Sequence, residues 1–522
     1  MKLYKDLIRQ IVTKYGDKIG VICKKQPGIT HRQMDLASNA IIAGLYDLGL
    51  SRGDTIALYM GNNYHYREMF WVAGKGGFVL VPINGRFKPQ EAAYIINNSK
   101  AKCLIISKEL DNSAAQIRDE LKLVKHFFGV DKGIAGYRYM GDLVATYPSD
   151  DLTVPLADDD LLWLQHTSGT TGFPKAVMLT QGNAYSIAEI GGNVAQAAGK
   201  FTEKTRFLQC VPSYTFAGSG WDIVGQRFGA QTVIMDRFDA AKMMAIVEKY
   251  KISDTHIVPV MLHLILNSPE FGRYDLSSLK TITIGAAPVS SELIRRGIEM
   301  IGPIFLQDYG ASESGIVTLM DYNDIDMNGS PEMLKRLESC GVAVEGVDAK
   351  IIDSDGMEAR PGHMGELTVK SPLVMKGYWK MPEETAKVLE KGRYYTGDLA
   401  TADEAGYIFI KDRQKDMIIS GGFNIYPSEI EQELVKHPAV LDVAVFGIPD
   451  DKWGESVCAY VILNHGKVID EAGLIEFAKN NMASFKKPKK IVFVENLPRS
   501  TSGKVLKKEL RYKYWQGRDK KV

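Results

Sequence analysis

The sequence is poor in cysteine and in net charge. Its five cysteines include no CxxC pair, which argues against a disulfide framework and against a cysteine-based metal site. The 64 basic and 63 acidic residues leave a net charge of +1, so we do not expect nucleic acid as a partner. Scattered thiols without a pairing pattern are typical of a reducing compartment, and a cytoplasmic location is therefore expected.

Long hydrophobic runs are also missing. No uninterrupted apolar stretch approaches the roughly 20 residues of a membrane-spanning helix. The N-terminus has charges at helical spacing and no apolar centre, so it predicts an amphipathic helix and not a signal peptide. The composition, with 45% hydrophobic and 24% charged residues, is that of a globular protein, and 522 residues are too many for one core.

A regular alternation of apolar strands and helices is what the sequence does contain. It predicts an α/β fold in which parallel-type sheets form a large N-terminal domain. From about Asp348 the pattern changes to hairpins, which predicts a β subdomain. A small mobile α+β domain is expected to follow. The predicted bounds are 1–411 for the N-terminal domain, 412–416 for a hinge and 417–522 for the C-terminal domain.

Residues 166–175 read HTSGTTGFPK and lie between two apolar runs, so they predict the connection of a hairpin. Glycines let backbone N–H groups converge, the hydroxyls add donors, and the lysine adds a charge, which together suit a polyphosphate. The segment is not a Walker A loop, because Phe-Pro precedes the lysine. The residues expected at the phosphates are Thr167, Ser168, Gly169, Thr170, Thr171, Gly172 and Lys175.

Two further segments are expected at the carboxyl edge of a sheet, where open α/β folds bind ligands. Residues 307–313, QDYGASE, should follow a strand at 304–306. There Tyr309 could stack on a base and Glu313 suits Mg²⁺; a solvated acidic loop is the alternative. Residues 285–288, GAAP, would let a flat ligand approach the backbone, or they form a tight strand-to-helix turn.

The C-terminal third adds candidates that are each ambiguous alone. Asp398, in YYTGD, suits a ribose diol, although the segment taken alone favours a type I or II turn. Arg413 could bind ribose or phosphate, or be an exposed linker charge. Lys504, on a Ser/Gly-rich loop, could neutralise charge between a carboxylate and an α-phosphate, or belong to a mobile polar loop. The last helix carries three cations that we interpret as a solvated face: Lys507, Lys508 and Arg511.

Together these segments resemble the acyl-adenylate-forming superfamily, and within it the AMP-forming acyl-CoA synthetases. TSGTTGFPK, QDYGASESG, YYTGDL, IKDRQKDMIISGGFNIYPSEIE and PRSTSGK stand in the family's order and spacing, and the resemblance covers essentially the whole chain. It implies two steps: a carboxylate attacks Mg·ATP to give acyl-AMP, and the thiol of coenzyme A then takes the acyl group. ATP, Mg²⁺ and coenzyme A are the implied cofactors, and a homodimer is the implied assembly.

The resemblance also implies roles for single residues. Lys504 bridges carboxylate and α-phosphate, Glu313 binds the metal, and Lys415 is the hinge. Catalysis is assigned to Lys504, Glu313, Thr167 and Ser312. ATP binding is assigned to Thr167, Ser168, Gly169, Thr170, Thr171, Gly172, Lys175, Gly285, Ala286, Ala287, Asp308, Tyr309, Gly310, Ser312, Asp398, Ile410, Arg413 and Lys504. Coenzyme A binding is assigned to Ser420, Gly421, Gly422 and Phe423.

The acyl pocket is the least regular part of the resemblance. Its implied residues are Tyr214, Thr215, Trp221 and Gly310, and Thr215 stands where many relatives have histidine. Trp221 either points inward and shortens the pocket or packs in the core. An inward indole predicts a compact or medium-sized hydrophobic acid: alicyclic, aromatic, or short- to medium-chain. A luciferase-like oxygenase and a non-catalytic nucleotide-binding regulator are the alternative functions.

Overall fold

The computed structural model describes residues 3–23, 27–152, 154–167, 174–197, 201–322, 325, 329–499 and 505–516. The chain divides into two compact units. The first is formed by residues 1–337, 341–348 and 369–394, and the second by residues 338–340, 349–368 and 395–522. This division differs from the predicted boundary at 412–416, because the strands of the β subdomain pair with one another up to residue 413 and cluster with the C-terminal part. The bounds of a mobile domain stay a prediction.

Helices separate most of the parallel strands of the first unit, as the alternation in the sequence predicts. They are α1 (Tyr4–Tyr15), α2 (His31–Asp47), α3 (His65–Gly76), α4 (Pro89–Asn98), α5 (Asp111–Ala115), α6 (Gly141–Thr146), α7 (Gln181–Ala197), α8 (Phe216–Arg227), α9 (Ala240–Tyr250), α10 (Pro259–Leu266), α11 (Ser291–Ile301), α12 (Pro331–Lys335) and α13 (Pro382–Ala386). The second unit contains α14 (Pro427–Val435), α15 (Glu471–Asn481) and α16 (Lys507–Trp515).

Two large sheets form the first unit. The nine-stranded sheet has the spatial order β16 (Val342–Ala343), β15 (Gly315–Asp321), β14 (Phe305–Ala311), β13 (Thr281–Ile284), β12 (Asp254–Ile257), β10 (Arg206–Gln209), β11 (Gln231–Ile234), β1 (Ile19–Cys23) and β2 (Ile29–Thr30). The eight-stranded sheet has the order β19 (Gly377–Tyr378), β9 (Lys175–Thr180), β8 (Leu161–Thr167), β4 (Val79–Pro82), β3 (Thr55–Tyr59), β5 (Cys103–Ile106), β6 (His126–Gly129) and β7 (Arg138–Tyr139). The centre of each sheet is parallel, which confirms the predicted fold class.

Two smaller sheets complete the structure. One has the order β17 (Asp348–Ile352), β18 (Gly365–Lys370), β21 (Arg393–Ala402) and β20 (Leu389–Glu390), with β22 (Ile408–Arg413) also on β21. The other has the order β24 (Phe423–Ile425), β23 (Ile418–Ser420), β26 (Gly454–Leu463) and β25 (Val440–Asp450), with β27 (Lys490–Phe493) also on β26. The strand β21 corrects the interpretation of Asp398 as part of a simple turn, since this carboxylate lies within a strand.

Strand β14 is longer than the sequence predicts. The predicted strand stops at residue 306, but β14 continues to Ala311 because its second half pairs antiparallel with β15. Asp308, Tyr309 and Gly310 therefore lie within a strand and not in a loop after one, and Ser312 and Glu313 lie in the turn of a hairpin. Strand geometry holds these residues more rigidly than a loop would, and it alternates their side chains between two faces.

Helix α3 is buried along nearly its whole length, so it runs through the core of the first unit. Its Arg67 is 3% exposed and donates Nε to Oδ2 of Asp222 on α8 (3.0 Å) and Nη1 to the Gly20 carbonyl (2.6 Å). A buried charge pair of this kind ties two helices and a strand to one geometry. His31, 1% exposed, stacks on Trp71 of α3.

Disulfides and membrane-spanning helices are the two features that the sequence leads us not to expect. All five cysteines belong to the described part of the chain, and none of them forms a disulfide there. Among the residues that the structure describes, no helix is both long enough and apolar enough to cross a membrane.

Candidate active site

The predicted glycine-rich hairpin is formed by β8 and β9. Thr167 and Lys175 are cross-strand partners at its open end, and Oγ1 of Thr167 lies 3.4 Å from the Lys175 carbonyl oxygen that accepts its hydrogen bond. The predicted phosphate ligands Ser168, Gly169, Thr170, Thr171 and Gly172 lie outside the described residues, as does Lys504. The hairpin itself is confirmed, because the two flanking apolar runs pair antiparallel, from Leu161 with Thr180 to Thr167 with Lys175.

Lys175 and Glu313 are brought together by Tyr378, which the sequence analysis did not single out. The Tyr378 hydroxyl donates to Oε1 of Glu313 (3.0 Å), and Nζ of Lys175 lies 5.0 Å from the centre of the same ring. Strand β19 carries Tyr378 to this position by pairing with β9. The signal that could have found it is the apolar KGYW segment, which a residue-by-residue search for charged ligands passes over.

Lys175 has a carboxylate partner. Its Nζ lies 2.6 Å from Oε2 of Glu384, a residue that also pairs with Lys387. Hydrogen bonds from Lys175 and Lys387 hold the pKa of Glu384 at about 2, so this carboxylate is charged at neutral pH. The ammonium group of Lys175 is therefore positioned by an ion pair and a π-face at the open end of the hairpin.

A second cluster surrounds Asp308. Nε1 of Trp221 donates to Oδ2 of Asp308 (3.3 Å), and Nε2 of His256 lies 3.3 Å from Oδ1. The indole and imidazole rings stack with their centres 5.7 Å apart, and Trp221 is 8% exposed. His256 was missed by the sequence analysis because it lies alone on a short buried strand, 52 residues from Asp308. The assignment of Trp221 to an acyl pocket stays a prediction.

The backbone at Gly285 lies very close to the Asp308 side chain. A Cβ added at Gly285 would lie 1.7 Å from Oδ1 of Asp308, and one added at Gly310 would lie 2.1 Å from the Gly315 carbonyl oxygen. Ala286 has a φ of +65°, which a residue with a side chain rarely adopts. Strain of this kind concentrates at ligand sites, so the turn at 285–287 is a good candidate to lie against a flat ligand.

Tyr214 and Thr215, assigned to the acyl pocket, lie at the start of α8. The Thr215 hydroxyl accepts from the Gly218 N–H (3.1 Å) and donates to the Pro212 carbonyl (2.6 Å), so it caps the helix. The Tyr214 carbonyl accepts from Nε2 of Gln165 on β8. These bonds fix the strand-to-helix connection that precedes Trp221.

In the second unit, Asp398 and Arg413 are cross-strand partners on β21 and β22. Nε of Arg413 lies 2.5 Å from Oδ1 of Asp398, whose residue is 4% exposed. Ile410, also assigned to ATP binding, lies on β22 opposite Ala400. The two polar residues that the resemblance assigns to the ribose are thus in contact, and the pairing orients the carboxylate.

The residues assigned to coenzyme A form a tight β-hairpin. Gly421 (φ +59°) and Gly422 (φ +84°) connect β23 and β24, and Ser420 pairs with Phe423. Positive φ at both positions is what a two-residue type I′ turn requires. The Gly421 N–H donates to the Trp453 carbonyl (2.8 Å), and a Cβ on Gly421 would lie 2.6 Å from the Trp453 ring.

Exposed aromatic and basic side chains surround this hairpin. Phe423 and Phe485 stack at 4.8 Å and are 56% and 43% exposed. Lys489 lies 5.5 Å from the centre of the Trp453 ring. Sequence analysis did not select Trp453, Phe485 or Lys489, because single aromatics and lysines in a long charged region carry no pattern.

The last helix corrects another interpretation. Lys508 is exposed, as expected of a solvated face, but the side chains of Lys507 and Arg511 are each only 16% exposed and form ion pairs. The predicted hinge residue Lys415 lies in a short 3₁₀ turn, Gln414–Asp416, and is exposed.

The donor set fits a magnesium nucleotide better than a protein-held metal. Within the described residues, no three histidine, cysteine or acidic side chains converge on one point. Mg²⁺ commonly uses one or two carboxylates and takes its remaining ligands from phosphates and water. Glu313 beside Lys175 matches that requirement.

Comparisons with known proteins agree over the whole chain. A family model described as AMP-binding enzyme matches residues 8–379, and one described as AMP-binding enzyme C-terminal domain matches residues 429–504. Long-chain-fatty-acid–CoA ligase FadD13 of Mycobacterium tuberculosis (strain ATCC 25618 / H37Rv) is 32% identical over 93% of each chain. Feruloyl-CoA synthase of a Streptomyces species is 33% identical over 93% of this chain and 94% of its own.

Among solved structures, ATP-bound MatB from Rhodopseudomonas palustris superposes with a TM-score of 0.87 at 28% identity, covering 98% of this chain and 99% of that one. The family models, the relatives and the fold therefore lead to one conclusion. The chain belongs to the AMP-binding enzyme family, within which it is an AMP-forming acyl-CoA synthetase.

Proposed function

We propose that this enzyme activates a compact or medium-sized hydrophobic carboxylic acid, of alicyclic, aromatic or short- to medium-chain type, and joins it to coenzyme A. The reaction uses ATP, Mg²⁺ and coenzyme A and passes through acyl-AMP. The observation that supports the proposed acid class is the buried indole of Trp221, which stacks on His256 and donates to Asp308, a residue that we propose to lie beside the adenine. An indole held in this position would limit the length of the acyl chain that can lie beside the nucleotide.

Lys175 and Glu313 form the phosphate end of the proposed site. Mg²⁺ supplies charge that neutralises phosphate oxygens, and Glu313 is the carboxylate that would hold it. Lys175 would exchange Glu384 for a phosphate, which carries more negative charge than a carboxylate. Tyr378 orients both groups by its hydroxyl and its ring. Thr167, Ser312 and residues 168–172 would supply the remaining donors.

The nucleoside end is proposed at the turn 285–287 and strand β14. Because Gly285 has no side chain, the Asp308 carboxylate lies against the turn at which adenine is proposed to bind, and Tyr309 and Gly310 continue the same strand as Asp308. Asp398 would accept hydrogen bonds from the ribose hydroxyls, with Arg413 holding its orientation. Lys504 would bridge the attacking carboxylate and the α-phosphate and stabilise the charge that develops on phosphorus.

The second step is proposed at the hairpin of Gly421 and Gly422. Two glycines leave room for the thin pantetheine chain of coenzyme A. The exposed rings of Phe423 and Phe485 offer faces for stacking, and Lys486 and Lys489 offer charges for phosphates. The homodimer and the cytoplasmic location that the sequence suggests remain predictions.

A size series of acids tests the proposed substrate class. We expect acid-dependent AMP release with benzoate, cyclohexanecarboxylate and hexanoate to have a kcat/KM at least tenfold above that with palmitate. In Trp221→Ala the preference should shift toward the longer acids, because the ring no longer limits the pocket. Trp221→Phe keeps most of the ring and loses only the N–H donated to Asp308, so it should keep the size preference.

The outcomes separate the parts of the proposal. A wild-type preference for palmitate would overturn the compact-acid class and leave the ligase activity standing. An unchanged size preference in Trp221→Ala, with AMP release intact, would remove Trp221 from the acyl pocket.

A further inference from the structure

The first turn of the last helix carries positive charges that the helix dipole disfavours. Lys507 and Lys508 are its first two residues, and a cation at a helix N-terminus is unfavourable. Lys508 points to solvent, but Nζ of Lys507 lies 2.7 Å from Oε1 of Glu431 on α14. Burial by itself lowers the pKa of Lys507, yet the charges of Glu431 and Asp412 raise it above its ordinary value. The helix therefore starts with a charged lysine that a partner compensates.

One turn further along the same face, Arg511 contacts the predicted hinge. Its Nη2 lies 3.0 Å from Oδ1 of Asp416 and donates to the Asp416 carbonyl oxygen (3.3 Å). Positions 507 and 511 are four residues apart, so they share one face of α16. Through these two residues, the face forms ion pairs with Glu431 on α14 and with Asp416 in the turn Gln414–Asp416.

The other end of the hinge is held by α14. The Ser428 N–H donates to Oδ2 of Asp412 (2.9 Å), and the Ser428 hydroxyl donates to the Lys411 carbonyl. Oε1 of Glu431 also accepts from the Val445 N–H on β25 (2.7 Å), which fixes the helix to the sheet. Segment 411–416 is thus bonded at its start to α14 and at its end to α16.

Lys504 precedes Lys507 by three residues. A stretch of three residues spans at most roughly 11 Å, so only a short length of chain connects Lys504 to the first turn of α16. A shift of about 1 Å in a catalytic group can cost on the order of 100-fold in rate. Whatever fixes the first turn of α16 therefore bears on the step in which Lys504 acts.

We propose that Lys507 and Arg511 are positioning residues for the adenylation step, which attach the helix that follows Lys504 in the chain to α14 and to the hinge turn. The inference rests on the proposed function, in which Lys504 acts in adenylation and residues 412–416 form the hinge. It assigns a role to two cations that the sequence would leave on a solvated face.

The test compares Lys507→Met and Arg511→Met with the exposed control Lys508→Met. Methionine keeps much of the side-chain length and removes the charge. Three quantities are measured for each variant: acid-dependent ATP–pyrophosphate exchange, thioester formation from acyl-AMP prepared with the preferred acid, and the melting temperature. We expect kcat for exchange to fall 10- to 100-fold in Lys507→Met and Arg511→Met with KM for ATP unchanged, while thioester formation stays within about threefold. Lys508→Met should match the wild type.

A coupled variant strengthens the comparison. If Arg511 acts through Asp416, the double variant Asp416→Ala/Arg511→Met should lose no more exchange activity than the worse single variant. Arg511→Lys, which keeps the charge, should recover part of the activity.

Two outcomes would overturn the inference: unchanged exchange in both methionine variants, or an equal slowing of both half-reactions together with a lowered melting temperature. Lys504→Ala in the same assays separates this inference from the proposed function. If Lys504→Ala leaves exchange unchanged, the proposed role of Lys504 fails. If it abolishes exchange while the α16 variants do not slow it, only the positioning inference fails.

Discussion

At the scale of single residues, the candidate site contains a position, Gly285, at which only glycine fits. Gly285 is buried, and any side chain there would collide with Asp308, the carboxylate that Trp221 and His256 hold in place. Ala286 next to it carries a positive φ that only the surrounding structure can maintain. We therefore expect space and backbone geometry at this turn to matter for nucleotide binding.

Gly285→Ala should lower the melting temperature and weaken nucleotide binding. The added methyl would lie 1.7 Å from Oδ1 of Asp308, so the carboxylate must move out of its bonds to the indole and imidazole. Overpacking typically costs about 1–3 kcal/mol of folding stability, and displacement of a carboxylate that helps to hold the nucleotide should also raise KM for ATP on the order of 10- to 100-fold. Steady-state kinetics with ATP varied at saturating acid measure the change.

A matched glycine in α8 gives the control. At Gly225 an added Cβ meets Ala230 Cβ at 3.6 Å, an ordinary contact, and glycine in a helix interior is destabilising. Gly225→Ala should leave KM for ATP unchanged and hold or raise the melting temperature. An equally raised KM in both variants would show that Gly285 has no special relation to the nucleotide.

At the scale of elements, the hairpin β23–β24 carries two glycines with different constraints. Both have positive φ, but only Gly421 also abuts a ring, that of Trp453. A Cβ on Gly422 would meet nothing within 4 Å. Substitutions at Gly422 therefore test only the positive φ of the turn, whereas substitutions at Gly421 also test the close contact with the Trp453 ring.

Gly421→Ala should impair thioester formation more than Gly422→Asn does. Asparagine tolerates the left-handed region, so Gly422→Asn keeps the type I′ turn. Alanine at 421 adds a left-handed penalty of about 1–2 kcal/mol and a collision with Trp453. Thioester formation from acyl-AMP should drop at least tenfold in Gly421→Ala, and pyrophosphate exchange should be spared in both. If exchange and thioester formation fall together in Gly421→Ala, the hairpin does not serve the second step alone.

At the scale of the whole molecule, buried histidines make the first unit sensitive to acid. His31 is 1% exposed, and its Nε2 has no hydrogen-bond partner among the described residues. Burial, together with the positive charges of Arg67 and Lys18, lowers the pKa of His31 to about 3. In the unfolded chain His31 takes up a proton at about pH 6.5, whereas in the folded chain it stays neutral down to about pH 3. Protonation therefore favours the unfolded chain, and the free energy of unfolding decreases as the pH falls from about 6.5 to about 3.

The melting temperature of wild type should therefore fall between pH 7.5 and pH 5 by more than that of His31→Gln. At pH 5 the preferential protonation of His31 in the unfolded chain lowers the free energy of unfolding by about 2 kcal/mol. Glutamine does not titrate, so His31→Gln removes this loss. The exposed His465, changed to Gln, serves as control and should leave the pH dependence as in wild type. An identical fall in wild type and His31→Gln would exclude His31 as the source of the acid sensitivity.

Prediction from sequence succeeded where the pattern was local. The apolar runs around residues 168–174 predicted a hairpin, and β8 and β9 form it. It failed where a partner distant in sequence decided the outcome. Strand β14 extends beyond its predicted end because β15 pairs with it. The side chains of Lys507 and Arg511 are only 16% exposed because they form ion pairs with Glu431 and Asp416.

The sequence by itself determined the strand–helix alternation, the glycine turns and the order of the motifs, because these depend on side-chain period and backbone freedom within a few residues. Only the tertiary structure decided which side chains meet: Tyr378 with Glu313, 65 residues away, and Trp221 with Asp308, 87 residues away. Such contacts depend on how strands are ordered in a sheet and how helices pack on it. No local pattern encodes that order, so His256, Tyr378 and the charged face of α16 emerged only with the fold.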